Sequence, residues 1–194
     1  MKKILLFIFS FILVNGCNNN FDLKEKVTNS NLTLVNQDSV SILYPEVIKD
    51  KIAVIGFIYT HCPDICPMTA HNMELAEESL SKDELDEVKF LLISFDPGRD
   101  TPSILKQYAD VRSLDMNHWE LLTGKEEDIK MLLKEYDVKA FNDDTTYNEK
   151  GEPNYFMIHT DRISLVDKDG NLRKNYRGSI ASPEELSKDI KNLE

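Results

Sequence analysis

The sequence predicts a mixed α/β fold built around a parallel strand–helix–strand unit and completed by an antiparallel hairpin. Two compact apolar runs, at residues 52–58 and 88–95, are typical of buried strands. The segment between them is rich in Ala, Leu, Met and Glu, which is typical of a helix. Near the end of the chain, two β-type segments flank the turn sequence at residues 167–171. This alternation of strands and helices indicates a layered α/β domain.

The length and charge of the chain limit its organisation and its partners. With 194 residues, 41% hydrophobic and 29% charged, it fits one domain with short appendages and an ordinary buried core. The formal net charge is −11, and no basic block occurs outside the extreme N-terminus. Nucleic-acid binding is therefore not expected, and a solvated acidic surface is the simplest interpretation.

The N-terminus has the pattern of an export signal. Two lysines precede an apolar run at residues 4–14, which is short for a transmembrane helix and matches a signal-peptide core. Gly16 immediately before Cys17 resembles a bacterial lipoprotein signal, in which residues 1–16 are removed and Cys17 carries lipid. An ordinary secretory signal or an uncleaved anchor with an incidental cysteine are the alternatives. We expect an exported protein of the cell envelope, anchored to a membrane on its periplasmic side.

The segment after the signal separates the anchor from the domain. Residues 17–31 are polar, with three consecutive Asn, and are expected to form a flexible tether, so that the domain spans residues 32–194. If Cys17 carries lipid, Cys62 and Cys66 are the remaining cysteines. A disulfide closing so short a loop would constrain the unfolded chain little. Stability is therefore a poor reason for this pair.

The first half of the domain contains a hairpin and the central unit. Alternating segments at 32–35 and 40–43 predict an N-terminal hairpin, and residues 46–51 link it to the strand at 52–58. A helix is expected at 68–82 and a second buried strand at 88–95, which makes the pair parallel with a right-handed crossover. Functional groups gather at the carboxyl ends of such strands, where the loop 96–102 begins.

The second half completes the predicted order. Asp100 or Thr101 is expected to cap a helix from Pro102 to about residue 114, followed by a strand at 118–122 and a helix at about 126–136. Residues 142–154 are polar and predict a surface loop or small insertion. A hairpin then joins 162–166 to 172–176, and Ser182 with Glu185 predicts a capping box on the last helix. This order indicates a thioredoxin-like fold with an N-terminal hairpin and a loop or hairpin insertion.

The two cysteines lie where the central strand gives way to a helix, at residues 60–67. Pro67 suits the first helical turn, which places Cys66 at or near the N-cap, where backbone N–H groups favour a thiolate. Three interpretations follow: a structural pair, a dithiol exchange site with Cys66 as the low-pKa thiolate, and a metal site. Two thiolates with an imidazole would select Cu(I) or Zn.

The four histidines differ in their expected roles. His61 points away from its neighbouring cysteine and is expected to have a surface or packing role, His71 to lie on a solvated helix face, and His118 in a strand. His159 ends an apolar segment. In a thioredoxin-like fold that segment runs beside the first strand, so His159 could approach the two thiols, although isolated histidines usually have structural roles.

Three motifs and the late histidine together resemble the Sco/SenC family. The motifs are TxCPDxCP at residues 60–67, DPxxDTP at 96–102 and WELLTG at 119–124, followed by His159. The likeness runs from about residue 32 to the end of the chain and is far more specific than two cysteines alone. The sequence departs from the family pattern at Gln37 and Asp38, where a glycine is usual, and in the divergent stretch 142–154. Neither departure touches a proposed ligand.

The resemblance implies a thioredoxin-like, membrane-tethered copper protein that serves assembly of the binuclear copper centre of cytochrome c oxidase. It carries the copper ligands onto Cys62, Cys66 and His159, a set that suits trigonal Cu(I) and, with an added oxygen, Cu(II). The expected partner is the oxidase subunit with that centre, together with another copper chaperone or a thioredoxin-like reductant. Copper delivery makes the protein a metallochaperone rather than an enzyme.

Other chemistries are also open. With Cys62 and Cys66 as a redox-active pair, the protein would be a thiol–disulfide oxidoreductase that reduces the cysteines of the oxidase copper site or of other exported proteins. Asp64, Asp96 and Asp100 are expected to cap loops rather than bind metal. A peroxidase would need a single peroxidatic cysteine, and a passive copper store would need more sulfur ligands.

Overall fold

The structure is a computed structural model that describes residues 21, 24–28, 30–147, 150 and 153–193. Within these residues the chain forms twelve strands, five α-helices and two 3-10 turns. The strands are β1 Glu25–Lys26, β2 Leu32–Asn36, β3 Ser41–Tyr44, β4 Ile52–Ile58, β5 Val88–Ser94, β6 Trp119–Gly124, β7 Ala140–Asn142, β8 Thr146–Tyr147, β9 Pro153–Asn154, β10 Met157–His159, β11 Ile163–Val166 and β12 Asn171–Tyr176. The helices are α1 Ile65–Glu78, α2 Lys82–Leu85, α3 Pro102–Arg112, α4 Glu126–Glu135 and α5 Pro183–Lys191, and the 3-10 turns are Glu46–Ile48 and Gly178–Ile180.

The central sheet has the strand order β1-β12-β11-β4-β5-β6-β2-β3. Strands β4, β5 and β6 are parallel, while β11 and β2 run antiparallel on either side of them. Every residue of β4 is buried, which explains its unbroken apolar sequence. Helix α1 packs on β4 and on α5. The predicted thioredoxin-like α/β arrangement is confirmed, and the carboxyl ends of β4 and β5 meet at one edge of the sheet.

Both predicted hairpins are present. Strands β2 and β3 pair antiparallel, and Ser39 takes the left-handed conformation (φ 63°) in their turn. Buried Gln37 accepts a hydrogen bond from the backbone N–H of Leu121 in β6 (3.0 Å), so this departure from the family pattern joins the hairpin to the sheet. Strands β11 and β12 pair around Gly170, whose φ of +76° favours glycine.

The helix boundaries differ from the predicted ones. Helix α1 begins three residues earlier than expected, at Ile65, and ends at Glu78. Ser81 and Glu84 form a capping box that starts the separate helix α2, which interrupts the expected continuous helix. At α5, only half of the predicted capping box forms: the Ser182 side chain accepts the N–H of Glu185 and its hydroxyl donates to Glu184, while the Glu185 carboxylate accepts from Lys174 (2.8 Å).

The folded part of the chain begins before residue 32. Strand β1 pairs with β12, Val27 is completely buried, and its N–H donates to the carbonyl of Gly170 (3.2 Å). Part of the expected tether therefore belongs to the domain. The expected signal peptide, residues 1–16, and Cys17 lie outside the described residues. Within the described part of the chain, no helix has the length and apolar character that crossing a membrane requires.

The predicted insertion carries two small sheets. Strand β7 pairs antiparallel with β10, with His159 opposite Ala140, and β8 pairs with β9. The stretch 142–154 is thus a small hairpin insertion between β7 and β10 rather than a wholly irregular loop. This pairing holds the backbone of His159 in a strand.

Candidate metal centre

The cysteine segment turns sharply between β4 and α1. The Cys62 N–H donates to the carbonyl of Tyr59 (3.2 Å), and Asp64 is the N-cap of α1. Cys66 is the second residue of the helix, rather than its cap. Its backbone N–H, one of the free donors of the first turn, donates to the Cys62 sulfur (3.4 Å). The turn thus brings both sulfurs to the end of the central strand, as the motif predicts.

His159 approaches the two cysteines from β10. Its Nε2 atom lies 3.7 Å from the Sγ atom of Cys66, and the ligand atoms of Cys62, Cys66 and His159 all lie within 4.8 Å of one another. Within the described residues, this is the only group of three or more His, Cys, Asp and Glu side chains with this proximity. Both cysteines are free thiols, 8% and 1% exposed respectively, and His159 is half-buried.

Aromatic and backbone contacts orient the His159 ring. The Phe95 ring lies 4.7 Å from the imidazole, and the Tyr59 ring meets it edge-on at 5.8 Å between centroids. Nδ1 lies 3.2 Å from the Thr160 carbonyl oxygen, which can only accept a hydrogen bond. Nδ1 therefore donates in this contact, which turns Nε2 toward the thiols. A metal ion at this site would bind His159 through Nε2.

The structure assigns the low-pKa thiol to Cys62, not to Cys66 as the sequence suggested. A hydrogen bond from the Cys66 thiol lowers the pKa of Cys62 well below its ordinary range, against the opposing effect of burial; contacts from His159 and from the backbone N–H groups of Cys66 and Asp64 also lower it. The hydrogen bond to Cys62 and burial raise the pKa of Cys66. The free N–H groups of the first helical turn point at the preceding sulfur, which is why Cys62 benefits from them.

Asp100, in the loop 96–102, accepts hydrogen bonds from neighbouring elements. Buried Asp100 accepts hydrogen bonds from the backbone N–H of Thr60 (2.9 Å), from its hydroxyl (2.5 Å) and from the Ser94 hydroxyl (2.6 Å). These bonds join the loop to the chain immediately before Cys62. Asp64 is an exposed N-cap. The expectation that these side chains organise loops agrees with the contacts of Asp100, whereas the Asp64 side chain forms no capping hydrogen bond to its helix.

A second polar cluster, which the sequence did not reveal, joins the same loop to Tyr155, two residues before β10. Asp96 is buried; it pairs with Arg99 and accepts a hydrogen bond from the Tyr155 hydroxyl (2.8 Å). The Arg99 guanidinium lies 3.6 Å from the centre of the Tyr155 ring and donates to its carbonyl (3.0 Å). The DPxxDTP motif pointed to Asp96, but no local signal marked Arg99 or Tyr155.

The other three histidines do not belong to the group formed by Cys62, Cys66 and His159. His61 is exposed, with Nδ1 3.2 Å from the Thr60 hydroxyl, and His71 is exposed on α1 beside Glu74. Both placements agree with the predictions. His118 lies in the turn immediately before β6 rather than in the strand.

The order of the three sequence motifs and the convergence of the three ligand atoms agree with a family match that covers most of the chain. The family profile described as SCO1/SenC matches residues 22–194. The chain belongs to the SCO1/SenC family. A Bacillus subtilis relative, the SCO1 protein homolog, is 32% identical over 162 residues, which cover 82% of this chain and 79% of the relative.

Solved structures of SCO1/SenC proteins have the same fold. Bradyrhizobium japonicum ScoI with copper bound is 32% identical with a TM-score of 0.70, over 85% of this chain and 98% of that one. BsSco, described as a Sco-family cytochrome c oxidase assembly protein with a disulfide switch, is 30% identical with a TM-score of 0.66, over 88% and 94%. A SCO1/SenC family lipoprotein from Bacillus anthracis is 28% identical with a TM-score of 0.70, over 88% and 95%.

The donor set of this SCO1/SenC protein has a definite chemical preference. Two sulfurs and an imidazole nitrogen form a soft set, which fits Cu(I) and, among other ions, Zn. Because the pKa of Cys62 is lowered, this cysteine is already a thiolate at neutral pH. The same thiolate beside a second thiol can also attack a disulfide. The geometry therefore fits copper and permits thiol exchange.

Proposed function

We propose that this SCO1/SenC protein is a copper chaperone that binds one copper ion through Cys62, Cys66 and His159. The convergence of their three donor atoms within 4.8 Å carries the proposal. The ion is cargo, and its receiver is the cytochrome c oxidase subunit with the binuclear copper centre. Copper-bound ScoI and the oxidase-assembly role described for BsSco support this function.

Copper loading changes the protonation of the site. Cys62 offers a thiolate, whereas Cys66 has a raised pKa and must lose its proton to become a ligand. Binding of Cu(I) to both sulfurs therefore releases the proton of the Cys66 thiol. His159 is more exposed than either sulfur, so a ligand from the receiving protein can displace it first.

The alternative function is thiol–disulfide exchange, which the contrast between the two cysteines favours. The Cys62 thiolate would attack a disulfide of the partner, releasing one partner thiolate and forming a mixed disulfide. Cys66, after losing its proton, would then attack Cys62, which forms the Cys62–Cys66 disulfide and releases the reduced partner. Two electrons pass to the partner in this sequence. Because it consumes both sulfur ligands, one molecule cannot bind copper and hold the disulfide together.

The proposed setting is the cell envelope. Removal of residues 1–16 and lipid attachment to Cys17 would anchor the domain on the periplasmic side of a membrane, as the sequence pattern indicates. The lipoprotein nature of the Bacillus anthracis relative supports this proposal. Another copper chaperone would supply the ion there, or a thioredoxin-like reductant would keep the cysteines reduced.

A copper titration of the reduced protein lacking residues 1–17 tests the copper function. We expect one copper ion per chain, and a Cu(II) complex with sulfur-to-copper charge-transfer absorption, because thiolates are the ligands. The double variant Cys62→Ser/Cys66→Ser should lose the site, whereas His61→Ala should bind as the wild type does, since His61 lies at the surface. Undiminished binding by the double variant would overturn the proposal.

A further inference from the structure

We propose that Asp161 is a positioning residue that holds His159 against Cys66. Its carboxylate fastens the connection between β10 and β11, two residues after His159, to the first turns of α1 and to the 3-10 turn Gly178–Ile180. The inference rests on the proposed copper site, because it concerns the third ligand of that site.

The Asp161 carboxylate is surrounded by donors from two other elements. The backbone N–H of Ser179 donates to Oδ1 (2.9 Å), and the Ser179 hydroxyl donates to Oδ2 (2.6 Å). The Thr69 hydroxyl, on α1, lies 3.2 Å from Oδ1 and shares its hydrogen with the Ile65 carbonyl (2.9 Å). Arg177 approaches Oδ2 at 3.7 Å but is largely exposed, so it contributes little.

These contacts connect His159 to the helix that carries Cys66. Thr69 is three residues after Cys66, which is about one helical turn. The 3-10 turn is itself fixed to α1, because Asn72 donates to the carbonyl of Gly178 (2.8 Å). Asp161 therefore reaches α1 both through Thr69 and through Ser179. Both routes end within two turns of Cys66.

Close packing at Gly178 shows how tightly this junction is built. A Cβ atom at Gly178 would lie 2.7 Å from the Thr69 side chain and 2.9 Å from Oδ1 of Asp161. Thr69 is buried, and the Asp161 side chain is mostly buried. A side chain at position 178 would thus separate the elements that the carboxylate joins.

The other contacts that hold His159 come from the insertion and from the ends of β4 and β5 rather than from α1. Strand β10 pairs with the three-residue strand β7, and Thr160 exchanges two hydrogen bonds with Lys139 (2.8 and 3.0 Å). The N–H of Met157 also donates to the Tyr59 hydroxyl (3.4 Å), and the Tyr155 hydroxyl donates to Asp96 (2.8 Å). None of these contacts reaches α1. Asp161 supplies the tie to that helix, and without it His159 can shift away from Cys66.

The test uses Asp161→Asn in the full chain purified in detergent, with Asp167→Asn as a matched control. Asn keeps the shape but replaces one acceptor oxygen with a donor. Asp167 is also a buried carboxylate, and it accepts hydrogen bonds from the backbone N–H groups of Asp169 and Asn171 at the opposite end of β11. Its replacement should weaken the fold without reaching the copper ligands.

In the copper titration, Asp161→Asn should weaken affinity about 10–100-fold, the usual cost of losing a residue that orients a ligand. Its charge-transfer spectrum should move toward that of His159→Ala. Adding Asp161→Asn to His159→Ala should cause no further loss of affinity, because the carboxylate acts through the imidazole. Asp167→Asn should keep the wild-type affinity and spectrum. Wild-type affinity and spectrum in Asp161→Asn, or full additivity in the double variant, would overturn the inference.

A copper-free measurement separates failure of this inference from failure of the copper function. In the reduced apo protein, NMR contacts between the His159 ring and the Phe95 ring should weaken in Asp161→Asn and persist in Asp167→Asn, since the two rings lie 4.7 Å apart in the structure. Unchanged contacts would overturn the positioning role even if copper never binds. If Asp161→Asn does not fold, Thr69→Val/Ser179→Ala removes the side-chain donors instead, and the same readouts decide.

Discussion

The Sγ atom of Cys66 lies 3.7 Å from Nε2 of His159, although 93 positions separate the two residues in the sequence. Cys66 belongs to the first turn of α1, and His159 ends a three-residue strand that pairs with β7. The contact depends on how a helix and a small insertion pack together. It completes a set of three soft donors and leads to the following predictions.

Replacing His159 separates the two proposed functions. Copper binding should weaken by more than about 100-fold in His159→Ala, because residues that merely orient ligands already account for about 10–100-fold. The Cys62–Cys66 pair should still form and lose its disulfide, since thiol exchange does not require the imidazole. The measurement is oxidase activity in cells with matched expression. If copper delivery is the function, activity falls as far as in Cys62→Ser, and added copper partly restores it.

The matched control for this experiment is His61→Ala, which should preserve both copper binding and oxidase activity. Normal oxidase assembly in a His159→Ala strain whose protein no longer binds copper would contradict delivery. That result would favour the thiol-reductase function instead.

In the reduced apo protein, Cys62 should be alkylated before Cys66. Its lowered pKa keeps Cys62 ionised at pH values where an ordinary thiol is protonated, so its rate with iodoacetamide should change little from about pH 8 to about pH 6. An ordinary thiol, with a pKa of about 8.5, slows roughly tenfold per pH unit in this range. Mass spectrometry of the labelled peptides gives both rates. Preferential labelling of Cys66 would contradict the assignment, and denatured protein is the control, in which both cysteines should behave ordinarily.

Removing the Asp100 carboxylate should destabilise the fold. Asp100→Ala leaves the Ser94 hydroxyl and the Thr60 N–H without their acceptor, which should lower the free energy of unfolding by about 1–3 kcal/mol. Urea denaturation measures this loss as a lower midpoint with an unchanged slope. Lys130→Ala is the control: it removes an exposed ion pair with Glu126 and should leave the midpoint unchanged. Equal midpoints for Asp100→Ala and wild type would refute the structural role.

Lipid attachment is predicted at Cys17. The wild-type protein should fractionate with membranes and carry fatty acid on Cys17, whereas Cys17→Ala should block lipid attachment and signal processing. Labelling with a fatty-acid analogue and analysis of the mature N-terminus provide the measurements. Cys62→Ala should still be labelled. An unmodified N-terminus downstream of Cys17 in the wild type would refute this prediction.

Much of the fold followed from local patterns. The apolar runs of β4 and β5 and the turn at Gly170 are short-range signals that the tertiary structure did not override. The limits of α1 were less predictable, because the capping box at Ser81 starts a new helix within a continuous helix-forming stretch. The start of the domain was also missed, since burial of Val27 depends on pairing with a strand near the end of the chain.

The candidate site was predictable in composition but not in its electrostatics. Cys62, Cys66 and His159 stood out through their residue types, their positions beside predicted strands and the family resemblance. The low pKa was expected at Cys66 and occurs at Cys62, because it depends on which sulfur accepts the hydrogen bonds. Tyr155 and Asp161 carried no local signal, because their partners are distant in the sequence.

The sequence by itself determined the strand and helix order, the soft donors and the spacing that places two thiols at the end of a buried strand. Hydrophobic periodicity and turn chemistry act over a few residues, so one chain is enough to recognise them. Only the tertiary structure decided that Cys62 is the thiolate and that His159 reaches Cys66. Both outcomes depend on hydrogen bonds and burial supplied by separate elements, and these arise when the insertion, α1 and the turn at Gly178 pack together.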